Sequence, residues 1–180
     1  MMFEKTRHSL GTHLSRWRFR HAGDELISFT NSVSQAQRVL VIMPLGNDDL
    51  PSTAHIIELL RSRVAEDRIT VITGHHGLEV LRTLPRSKFI HLIPEQISRL
   101  YLPRTDLMTS VLEKEHDLAI DLNLDLVLPS GYICKASGAR IRIGFARPHA
   151  DLFYNFQITH DPTIGRKLIY DRLVQCLEKF

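Results

Sequence analysis

The chain has 180 residues, 43% of them hydrophobic, with a formal net charge of +3. That length and apolar content suit one packed core with no need of disulfide or metal staples, and the charge is too mild for a dedicated nucleic-acid binder. No apolar run reaches the roughly 18 residues of a membrane span and the first residues lack the apolar stretch of a secretory signal, so a cytoplasmic protein is expected.

Residues 1–37 read as a basic appendage, helical or irregular, closed by the polar stretch 30–37. Within it Arg16, Arg18 and Arg20 interleave with Trp17 and Phe19. Two readings stand side by side. The arginines suit an anionic surface, a nucleic acid or the inner face of a membrane. Alternatively, Leu14, Trp17 and Phe19 pack onto the domain and leave the arginines solvated.

From residue 38 onward the pattern alternates. A β-branched apolar run at 38–43 predicts a buried parallel strand, and apolar positions Ile56, Ile57, Leu59, Leu60 and Val64 predict a helix over 52–64. Further strands are predicted at 68–73, 89–93, 117–122 and 140–145, with a short one near 153–158. Helices are predicted at 78–84, 106–115, 126–137 and 162–180. Strands separated by helical patterns of this length form βαβ crossovers. The expected fold is therefore α/β: a Rossmann-like, open, mainly parallel sheet with helices on both faces, spanning 38–180 as one domain. Ligands of such sheets lie beyond the carboxyl ends of the strands, here the turns at 44–51, 74–77 and 122–126.

The first of these turns carries Gly46, Asn47, Asp48 and Asp49 before a helix, where backbone amides gather around anions. Neither GxGxxG nor GxxxxGK[ST] is present, and paired carboxylates repel phosphate. One of them can serve as a general base toward a hydroxyl, or both can simply cap the helix. His75 and His76 at the second turn, and Asn123 and Asp125 at the third, can converge with Asp49 on one cleft. The histidines are equally well read as turn residues between Gly74 and Gly77, and no metal site is expected. The two cysteines, Cys134 and Cys176, lie far apart without metal or redox spacing and read as ordinary thiols. Arg140 and Arg142, two residues apart on a predicted strand, share one face; they can hold an anionic ligand, pair with acidic neighbours or lie in solvent.

The order of Gly46-Asn47-Asp48-Asp49, His55-Ile-Ile-Glu-Leu-Leu60, Ala119-Ile-Asp-Leu-Asn123 and Ser137-Gly-Ala-Arg-Ile-Arg-Ile-Gly-Phe145 resembles the amino-terminal domain of the family 9 glycosyltransferases. These are the ADP-heptose:lipopolysaccharide heptosyltransferases. Asp48 stands where the family has a second glycine, and His55 where a proline is common. The resemblance implies a single amino-terminal half of a GT-B fold, holding a sugar or lipopolysaccharide-core acceptor. It implies Asp49 as the base of an inverting, metal-independent transfer that uses no cofactor. The donor-binding half has no counterpart in 38–180, so activity would need a separate donor-binding chain. The alternatives are a non-catalytic binding or scaffold protein, and a peripheral protein using its basic arm on anionic surfaces. An apolar face on the final helix, left bare of a second domain, predicts a homodimer.

Overall fold

Short runs of Val and Ile without polar alternation form strands buried on both faces, as a parallel sheet requires. The computed structural model describes residues 2–23, 35–76, 80–161 and 163–179. Its strands are β1 (Val39–Ile42), β2 (Ile69–Thr73), β3 (Lys88–His91), β4 (Leu118–Asp121), β5 (Ile141–Phe145) and β6 (Phe156–Ile158). They pair in the order β3-β2-β1-β4-β5-β6, every pair parallel. The four inner strands are buried throughout, whereas β3 and β6 at the edges are partly open.

The helices are α1 (Met2–Phe19), α2 (Ala54–Arg63), α3 (Val80–Thr83), α4 (Thr105–Leu112), α5 (Leu128–Ala136) and α6 (Arg166–Glu178). Strand side chains alternate between two cores. Val39, Val41, Leu118, Ile120, Ile141 and Ile143 pack toward α2 and α6, meeting Ile56, Leu60, Tyr170 and Leu173. Leu40, Ile42, Ile72 and Ala119 point the other way, toward Leu107 and Val111 of α4 and Leu128 and Ile133 of α5.

Every predicted element in 38–180 is present in the predicted order, with shifted ends. Asn47–Thr53 forms a 3-10 turn containing Pro51, so α2 starts at Ala54 instead of 52. α6 starts at Arg166 instead of 162, because Asp161 accepts from the backbone and hydroxyl of Thr163 in a turn that precedes it. The start of the predicted helix at 78–84 and most of the polar stretch 30–37 lie outside the described residues.

Two packing expectations are corrected. Of Leu14, Trp17 and Phe19, only Phe19 packs on the body, its ring 5.0 Å from that of Tyr132, while Leu14 and Trp17 remain 44% and 62% exposed. α1 docks instead through its small face. Thr12 and Ser15 are buried, and a Cβ on Gly11 would stand 2.1 Å from the carbonyl oxygen of Leu100. Nor does α6 offer a bare apolar face: Ile169, Tyr170, Leu173 and Leu177 are buried, with Leu168 exposed. The ground for a homodimer through α6 is thereby removed.

Candidate functional site at the carboxyl edge of the sheet

The strand order reverses between β1 and β4, and the helices that follow them leave on opposite faces, which opens a crevice at their carboxyl ends. Asn123 spans that crevice from below. Its side-chain carbonyl accepts from the backbone N–H of Leu45 at 2.9 Å, and its amide donates to Asp121 Oδ1 at 2.6 Å. Buried at 4% exposure, Asn123 braces the two strand ends.

Asp121 is the centre of a buried polar network. A carboxylate in an apolar strand costs several kcal/mol unless its lone pairs are filled, and here they are. Ser130 Oγ at the start of α5 donates to Oδ2 at 2.7 Å, the backbone N–H of Asn123 donates to Oδ1 at 3.0 Å, and the Tyr154 hydroxyl donates to Oδ2. The guanidinium of Arg147 lies 3.7 Å from Oδ2, donates to the Asn123 carbonyl, and sits over the Tyr154 ring. Burial, reinforced by the Asp121 charge, drives the Tyr154 phenol well up, so it stays a proton donor. Space for its ring comes from Gly144, where a Cβ would stand 2.8 Å from Tyr154 carbons, and space for the neighbouring Phe153 ring comes from Gly131, where a Cβ would stand 2.9 Å from it.

Asp49 lies on the other side of the crevice. It is 6% exposed, and Nη1 of Arg166 donates to both of its carboxylate oxygens at 2.6 Å. Arg166 opens α6 and is itself half-exposed. Beside the pair, Tyr170 donates its hydroxyl to the Leu122 carbonyl at 2.7 Å, and burial followed by the Asp49 charge pushes that phenol up. Gly46 precedes the turn in an ordinary extended conformation, at φ −81° and ψ 141°, with open space where a Cβ would lie. Neither backbone nor packing demands a glycine there. Asn47 and Asp48 are the first residues of the 3-10 turn that carries Asp49.

His75 and His76, both exposed, follow β2 and line a cavity of about 690 Å³. Leu45 and Gly74 close it from the strand ends, Ile93, Ile97 and Tyr101 from the segment after β3, Leu128 and Pro129 from α5, and Arg7 and His8 from α1. Among the described residues its lining holds Arg7, Arg99 and the imidazoles of His8, His75 and His76 and no carboxylate, with mostly apolar walls. The ring of His75 stands edge-on to His91, centroids 4.8 Å apart. Tyr101 adopts φ 59°, a left-handed conformation costly for a tyrosine, at the tip of a small hairpin closed by the Ser98 and Leu102 backbones and an Ile97–Pro103 bridge. Asp49 is absent from that lining, so the expected single cleft divides into a histidine-lined cavity and a separate Asp49–Arg166 pair.

Arg140 and Arg142 do not share a strand face, and the solvent reading holds for Arg140. β5 begins at Ile141, so Arg140 stands exposed at the amino edge of the sheet, opposite the crevice. Arg142 is 5% exposed; its Nε donates to the Phe153 carbonyl at 2.9 Å and its Nη1 to the Ala139 carbonyl at 2.7 Å. It ties the loop before β6 to the turn before β5. Asp125 is exposed beyond β4. Among the described residues, no three His, Cys, Asp or Glu side chains gather as a metal site.

Arg147, Tyr154 and Arg166 escaped the sequence reading. Arg166 is 117 positions from Asp49, and nothing local marks the pair. Asp121 did carry a signal: an acidic residue inside a wholly apolar strand must be hydrogen-bonded, and its partners are then to be sought among distant polar residues.

No family model matches the sequence, and no curated protein matches it. In three dimensions the chain is similar to E. coli heptosyltransferase WaaC with ADP, with TM-score 0.56 and 12% identity over 78% of this chain and 46% of that one. WaaC with ADP-2-deoxy-2-fluoro heptose gives TM-score 0.55 and 14% identity over 78% and 48%. E. coli ADP-heptose lps heptosyltransferase II gives 0.51 and 19% over 77% and 40%. The chain thus spans less than half the length of these enzymes. At such identities the likeness is one of fold: a six-stranded parallel α/β sheet that corresponds to part of a GT-B heptosyltransferase.

Proposed function

We propose that this chain is an acceptor-binding domain of heptosyltransferase type, corresponding to the amino-terminal half, which takes an anionic sugar of a lipopolysaccharide core into the histidine-lined cavity. The observation that carries this reading is the cavity itself. It sits beside the strand-order reversal, has apolar walls and the Tyr101 ring for a sugar face, and presents arginines and imidazoles, with no carboxylate among the described lining residues. The donor would be held by a separate domain or chain, and the likeness to enzymes of which the chain covers less than half supports that division.

The Asp49–Arg166 pair favours a binding role over catalysis by this chain alone. Both carboxylate oxygens already accept from Arg166 and Asp49 is 6% exposed, an arrangement that holds its charge in an ion pair and makes it a weaker base toward a hydroxyl. Calorimetric titration with a phosphorylated core sugar, ADP and ADP-heptose tests the reading. The sugar is expected to bind, about tenfold more weakly in Arg99→Ala, with no heat from either nucleotide. Binding of ADP-heptose but not of the sugar would reverse the assignment of the two sides. Transfer that survives Asp49→Asn would remove Asp49 from the chemistry.

A further inference from the structure

We propose that the outer face of α1 is a docking surface for an anionic lipid bilayer. The helix is mounted in an unusual sense: its small and hydroxyl-bearing residues face the protein and its large apolar ones face solvent. Thr12 and Ser15 are buried with their hydroxyls donating to the His8 and Gly11 carbonyls of the same helix, both at 2.9 Å. Phe3, Leu10, Leu14 and Trp17 are 77%, 50%, 44% and 62% exposed, four of the six large apolar side chains that stand exposed among the described residues. At 100° per residue these four fall within an arc of about 60°. Leu10, Leu14 and Trp17 follow one another within two turns as a stripe, with Phe3 two turns before them on the same side of the helix.

Cations border that stripe. Arg7 and Arg18 adjoin it on one side by the same rotation per residue, and Arg20, in the turn just after the helix, lies over Trp17. Over residues 2–20 five cations, Lys5, Arg7, Arg16, Arg18 and Arg20, face one carboxylate, Glu4. The whole chain has a surplus of only +3, so this helix accounts for all of it. The Arg20 guanidinium lies 5.2 Å above the Trp17 ring, an amphipathic pair suited to the level of lipid headgroups.

Charge complementarity selects the occupant. An apolar stripe between basic margins lies in the plane of a bilayer with its side chains among the acyl chains and its arginines at anionic headgroups. A second copy of the helix would set like charges against each other, and a nucleic acid would leave Leu10 and Leu14 uncovered. Because Arg7 and His8 also line the cavity, docking would bring the cavity to the membrane surface. The inference does not depend on what the cavity binds.

Trp17 is the only tryptophan in the chain, so its emission reports on this stripe alone. Vesicles of equimolar phosphatidylglycerol and phosphatidylcholine are expected to shift Trp17 emission to the blue and to sediment the full-length chain; phosphatidylcholine alone is not. Leu10→Ser with Leu14→Ser, and separately Arg16→Glu with Arg18→Glu, are each expected to weaken sedimentation at least about tenfold while leaving the thermal midpoint unchanged. Both pairs lie outside the packed face of α1. Equal binding to both vesicle types, or variants that sediment like the parent, would overturn the proposal. So would a blue shift that follows protein concentration without lipid, which would mean a second copy, or one produced by an RNA oligonucleotide and not by vesicles.

Discussion

His116 shows how one buried side chain ties stability to pH. Burial, followed by the Lys88 charge, pushes its imidazole from 6.5 down to about 4, while Nε2 stands 3.2 Å from the Thr70 hydroxyl and Nδ1 has no partner. Above the unfolded value the ring is neutral in both states and its contribution is complete. As pH falls from 6.5 toward 4 the unfolded chain takes up the proton and the folded chain does not, so stability drops, by about 1–3 kcal/mol in all. Urea denaturation at about pH 7.5 and about pH 4.5 is expected to show this loss, reduced in His116→Leu. An identical pH slope in both proteins would exclude His116 as its source. Gly144 makes a second prediction at this scale. Its Cβ would strike the Tyr154 ring at 2.8 Å, so Gly144→Ala is expected to cost about 1–3 kcal/mol in the same assay. An unchanged midpoint would mean that the ring can give way.

Among the elements, α1 and α6 differ in how they are held. α6 buries four large side chains against α2 and the sheet and adds the Arg166 bond to Asp49; Arg63 of α2 donates to the Leu177 carbonyl at 2.8 Å. α1 rests on close backbone approach at Gly11 and on ring contacts at His8 and Phe19. A side chain at residue 11 therefore acts on the element and spares the sheet. Gly11→Ala is expected to undock α1, accelerating tryptic cleavage after Arg16, Arg18 and Arg20 by about tenfold or more while the main unfolding transition moves little. Cleavage at the parental rate would show that the helix can slide to accommodate a methyl group.

Across the whole molecule, the described residues form a six-stranded sheet between two cores, with the histidine-lined cavity at its carboxyl edge. A ligand that binds the folded cavity raises overall stability by mass action, by about 2.7 kcal/mol at a hundred times its dissociation constant. A phosphorylated core sugar is therefore expected to raise the thermal midpoint in proportion to the logarithm of its concentration, and ADP to leave it unchanged. The opposite pattern would assign the nucleotide side of a heptosyltransferase to this chain.

Residues of the inner strands were legible in sequence because burial on both faces admits only apolar side chains, and the helices between them because their apolar positions recur at helical spacing. Fold class and element order follow from those local patterns. The partners of side chains do not. Asn123 and Asp49 both follow strands at the ligand edge, yet one is consumed as a brace and the other is paired with an arginine 117 positions away. Arg140 and Arg142 looked equivalent by alternation, but where β5 begins leaves one in solvent at the amino edge and the other buried. For residues 1–37 the sequence by itself marked a basic appendage, helical or irregular; only the tertiary structure decided that 2–19 is a helix and which of its sides meets the protein. The physical reason is the same in each case. Periodicity records which residues share a face, whereas the contact made by that face depends on long-range packing that no local pattern encodes.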